Sequence, residues 1–106
     1  MAHDTDTAEI ITITATELRW LTFAVRNLQT RTAGETSARH EVITRFEVAI
    51  EENPRLESFA MAFDPWQVLM LLWAVQEGRC RDGDERLIRG RLQERFEHCN
   101  RGDSSL

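Results

Sequence analysis

Between Asp64 and Gly78 the chain carries VLMLLWAV, apolar at every angular position of a helix and closed at both ends by signals that fix its length. Asp64 is the N-cap, Pro65 occupies the first turn where its missing N–H is no loss, and Gln67 completes a capping box. Phe63 and Val68 stand at hydrophobic-staple positions, and Gly78 falls where a left-handed residue is expected to end the helix. A helix with no polar side must be covered on most of its circumference. A chain of 106 residues makes one core and buries roughly 65% of its unfolded surface. Four short helices struggle to surround such a segment, whereas two chains do so readily. A homodimer, or another protein partner, is therefore expected.

The remaining elements are read from periodicity and caps. Residues 1–8 are expected to form a disordered acidic arm. EIITIT is rich in β-branched residues and predicts a short extended segment at 9–13. Thr14 and Glu17 form a capping box, with Ile13 and Leu18 as its staple, so a first helix runs from Ala15 to about Thr30. Its main stripe is Leu18, Leu21, Val25 and Leu28, with Arg19, Thr22 and Arg26 opposite; Trp20 and Phe23 form a second apolar flank. Thr36 or Ser37 is the expected cap of a second helix, Ala38 to about Asn53, whose arc includes Val42, Phe46 and Ile50 and which Pro54 stops. SFAMAF at 58–63 alternates as a strand does and would pair with 9–13, although a helical turn fits it nearly as well. Asp82 with Glu85, or Asp84, caps a fourth helix with the stripe Ile88, Leu92, Phe96 and Cys99. The tail 101–106 is expected to fray, and no repeat or low-complexity tract stands out. The fold class is mainly α: a compact four-helix domain over 9–100, with short extended segments at 9–13 and 58–63.

Composition narrows function by exclusion. The net charge of −5 opposes general phosphate binding. All 13 basic residues are Arg, which codon bias explains better than pairing chemistry, since Lys serves equally at exposed sites. The longest apolar run, Val68 to Val75, is far short of the ~20 residues that span a bilayer. The N-terminus has no apolar signal core. A cytoplasmic protein without membrane contact is expected.

No catalytic, metal or cofactor constellation emerges. Cys80, His98 and Cys99 lack zinc-ligand spacing. None of the three histidines flanks a nucleophile, and the five glycines do not gather into a phosphate loop. No cofactor and no enzymatic activity are expected. Five residues are candidates for partner contact: Trp20 and Phe23 on the first helix, and Trp66, Met70 and Trp73 on the third. The preferred function is a non-enzymatic protein-interaction or regulatory module acting as a homodimer. A small DNA-binding regulator is the second reading, with Arg86, Arg89 and Arg91 of the last helix meeting phosphates. It is opposed by the acidic Asp82, Asp84 and Glu85 at the helix end that would face the bases. A small-ligand pocket around Trp66 and Trp73 is the third.

Overall fold

The computed structural model describes residues 9–101; the expected arm at 1–8 and tail beyond Arg101 lie outside them. Six elements follow in order: β1 (Glu9–Thr14), α1 (Ala15–Arg26), α2 (Ala33–Glu52), β2 (Ser58–Phe63), α3 (Pro65–Glu77) and α4 (Gly83–Arg101). Both extended segments are strands and pair antiparallel. The fold is mainly helical with one two-stranded sheet.

Strand–helix–helix followed by strand–helix–helix is an internal duplication, contrary to the expectation of no repeat. The two halves align without a gap at a separation of fifty residues, from Glu9/Phe59 to Glu51/Arg101. Identical pairs include Leu21/Leu71, Val25/Val75, Arg39/Arg89, Arg45/Arg95 and Phe46/Phe96. Local bonds repeat with them. Thr32 and Asp82 accept from the N–H groups of Glu35 and Glu85 at 3.1 and 2.9 Å, and these two carboxylates accept from the N–H groups of Arg31 and Arg81, both at 2.8 Å. Arg39 donates to the Leu28 carbonyl at 2.7 Å, as Arg89 does to Gly78 at 3.4 Å. Arg45 donates to Ala62 O of β2 at 2.7 Å, and Arg95 donates to Thr12 O of β1 at 3.1 Å, so each half ties down the other's strand.

Strand register locates the relating pseudo-two-fold axis. Ile11 pairs with Met61, its own equivalent, and the register is symmetric on either side. Ile11, Ile13, Phe59 and Phe63 face inward, while Ile10, Thr12, Ala60 and Ala62 face solvent. Two strands alone are marginal; here they are held on a helical layer in which α1 packs on α3, α1 on α2 and α3 on α4. One hydrophobic cluster runs through both halves, with Leu21, Leu71, Phe46 and Phe96 at its fully buried centre.

Several boundaries correct the sequence expectation. Helix α1 ends at Arg26, four residues early, where Asn27 turns both its backbone N–H and its side-chain amide onto the Phe23 carbonyl. Helix α2 begins at Ala33 rather than Ala38, because Thr32, not Thr36 or Ser37, is the cap. Asp82 caps α4, which extends to Arg101. Thr22, expected to face outward, is buried and donates to the Leu18 carbonyl at 2.7 Å. Gly78 is not left-handed, having φ −66° and ψ 143°. It is required by close approach: a Cβ there would lie 2.7 Å from Trp20 Cη2.

Helix α3 finds most of its cover within its own chain. Val68, Met70, Leu71, Leu72, Ala74 and Val75 are buried, against α1 and α4 above all. Helix α1, from the first half of the chain, and helix α4 supply that cover.

Candidate functional site

Duplication provides an internal comparison, since equivalent positions share a backbone setting and differ only in what else they do. The outer stripe of α1 reads Thr16, Arg19, Phe23, Arg26, and the equivalent stripe of α3 reads Trp66, Leu69, Trp73, Gln76. Thr16 and Arg19 are exposed, which shows that the fold accepts polar residues at these two places. Trp66 and Leu69 nonetheless present large apolar side chains there, each 48% exposed. Spacing of i and i+3 sets them side by side on the helix surface.

The five partner candidates divide. Trp20 and Met70 are core residues, 6% and 1% exposed. The Trp20 ring lies on Gly78 and its indole N–H donates to the Arg79 carbonyl at 3.2 Å. This answers the second flank of α1: Trp20 turns inward while Phe23 stays 47% exposed. Trp66 is exposed and Trp73 half-buried. The surface set on α3 is therefore Trp66, Leu69 and Trp73. Sequence spacing favoured Met70 because i+4 and i+3 neighbours are equivalent on an all-apolar helix; only packing direction separates them.

Trp66 is not among the residues that line the hollow beside Trp73. Trp73 lines a hollow with the loop between α1 and α2 and the end of α3, including Asn27, Arg31, Glu77 and Arg79. Phe23 lines an adjoining hollow with Asn27, Glu77, Gly78 and Arg79. Arg31 and Arg79 both line the hollow beside Trp73. They lie 48 residues apart, and no local pattern links them.

The arginines proposed for nucleic acid do not form one basic surface. Arg89 is half-buried and engaged with the Gly78 carbonyl. Arg86 and Arg91 are exposed, but five residues apart on a helix they point about 140° from one another. Arg91 shares its groove with Glu57 and Asp84. A two-stranded ribbon also fits a major groove, yet Ile10, Thr12, Ala60 and Ala62 on its outward face offer no amide or guanidinium to a base edge.

Charge in the interior is concentrated at Glu17. Its carboxylate takes the N–H of Thr14 at 3.0 Å and two bonds from Arg95 at 2.8 and 3.3 Å, with its side chain only 4% exposed. Burial pushes its carboxyl up, but the Arg95 and Thr14 bonds outweigh this and hold it below the ordinary value. Gln67 stands at the equivalent position and keeps the capping box, while Arg45, the equivalent of Arg95, lies 4.9 Å over the Phe63 ring instead. Glu17 is thus a structural charge. Cys80 and Cys99 are free and half-buried; burial and then Glu9 raise the Cys99 thiol, with Arg95 opposing. Among the described residues no three His, Cys, Asp or Glu side chains gather as a metal site. Among the same residues no helix is long and apolar enough to cross a membrane.

Comparison with family models, curated proteins and solved structures returned no match.

Proposed function

We propose that the protein is a non-enzymatic protein-interaction module that presents Trp66 and Leu69 on the outer face of α3 to a partner. One observation carries this reading: the equivalent positions in the first half hold Thr16 and Arg19, so the architecture does not call for apolar residues there. Half-exposed tryptophan beside leucine is a costly surface to leave in water and a good anchor when a partner covers it. A second copy of the chain is the first candidate partner, in keeping with the homodimer expected from sequence. Its warrant is now this patch, because α3 is otherwise covered internally.

The test uses the duplication as its control. A photo-crosslinking residue placed at Leu69 is expected to give a discrete adduct in cells, with a second copy or another protein. The same residue at Arg19 is expected to give none. Adducts at position 69 no stronger than those at position 19 would overturn the reading.

A further inference from the structure

We infer that the hollow between Phe23 and Trp73 binds a small planar organic monoanion, an aromatic carboxylate. This site goes beyond the protein-contact reading and shares no tested residue with it. Its two adjoining hollows measure about 480 and 380 Å³ and have Asn27, Glu77 and Arg79 in common. That is the size range of small-ligand sites, which lie preferentially between packed elements. Equivalent pairs from the two halves line it, Phe23 with Trp73 and Asn27 with Glu77, so it lies beside the pseudo-two-fold axis where the halves meet.

Two arginines give the site its charge. Arg81 donates through Nε and Nη2 to Glu85 at 3.2 and 3.0 Å. Its equivalent Arg31 has Glu35 at the same place, and Glu35 accepts only the Arg31 backbone N–H. Arg31 instead lines the hollow, and its guanidinium has no partner among the described residues. Arg79 lines both hollows, and only its backbone carbonyl is engaged, by Trp20. Guanidinium forks match a carboxylate bidentately, and aromatic walls accept a flat ring by stacking. Glu77 on the same wall offsets one of the two arginine charges, which leaves the site matched to a single carboxylate.

Titration of the ¹⁵N-labelled protein with 1-naphthoate tests the site. Saturable shifts are expected at residues 27–31 and 73–79, including the Trp73 indole N–H. The neutral 1-naphthalenemethanol is expected to bind about tenfold more weakly. Arg31→Gln with Arg79→Gln is expected to lower naphthoate affinity about tenfold or more while leaving the melting temperature unchanged, since both side chains are exposed. Shifts scattered over the surface or not saturating would overturn the inference. So would equal binding by the alcohol or by the double variant.

Discussion

Replacing Gly78 by alanine tests whether tertiary contact or backbone preference governs this position. At φ −66° and ψ 143° the backbone suits alanine, and restricting the unfolded chain would by itself stabilise the protein by about 0.4–1 kcal/mol. The added Cβ, however, would lie 2.7 and 2.9 Å from Cη2 and Cζ2 of Trp20 and 3.1 Å from the Ala74 carbonyl. Carbon atoms need about 3.5 Å, so the ring must move by more than half an ångström. It has little room to do so: Trp20 is 6% exposed, and its indole N–H is bonded to Arg79, the next residue. Overpacking of this kind costs about 1–3 kcal/mol, and weakening the indole bond adds about 1 kcal/mol. The net expectation for Gly78→Ala is a loss of about 1–3.5 kcal/mol, a fall in Tm of roughly 5–16 °C for a domain this size. Urea unfolding followed by circular dichroism measures it. In a Trp20→Leu background the same change is expected to be neutral or slightly stabilising, which makes the coupling between the two sites explicit. A Gly78→Ala protein as stable as the parent, with Trp20 in place, refutes the steric account.

Two further outcomes follow from the interior. Because Glu17 has its pKa lowered by folding, its contribution is complete above the unfolded value of about 4.3 and is lost as pH falls through the folded value. Glu17→Gln is therefore expected to cost about 1–3 kcal/mol at pH 7 and to flatten the acid limb of the curve of urea midpoint against pH; an unchanged acid limb refutes the assignment. Phe46→Ala and Phe96→Ala each empty a fully buried site, at about 3–5 kcal/mol apiece. Phe46 is expected to be the costlier, because Phe63 meets it edge-on at 6.1 Å and Ile13 stands at the position equivalent to Phe63. Unfolding free energies that rank Phe96 above Phe46 refute that ordering.

Local chemistry was legible from residues alone wherever a side chain answers to its own backbone. The caps at Thr14, Asp64 and Asp82 and the alternation in SFAMAF depend on neighbours within a few positions, and they stand as read. The Thr32 cap is obscured for a reason of the same kind: Gly34 in the first turn reads as loop, although Glu35 three residues on completes the pattern. The duplication is faint in the residues because packing preserves size and polarity rather than identity. Val42 stands for Leu92 and Ile13 for Phe63, and most surface pairs share nothing. Its clearest marks are bonds such as Arg45 to Ala62 and Arg95 to Thr12, which no reading of one segment displays.

The Asp64–Gly78 helix divides the two contributions. Its ends, its length and its need for cover follow from Asp64, Pro65, Gln67 and the apolar run between them. Which residues it buries, and against what, depended on the first half of the chain folding back as its symmetric mate, with Trp20 closing on Gly78. Contacts with α1 in the other half and with α4 decide that, because an all-apolar helix carries no polar face to orient it. Trp66 and Leu69 remain outside because their equivalents Thr16 and Arg19 occupy the same outward register.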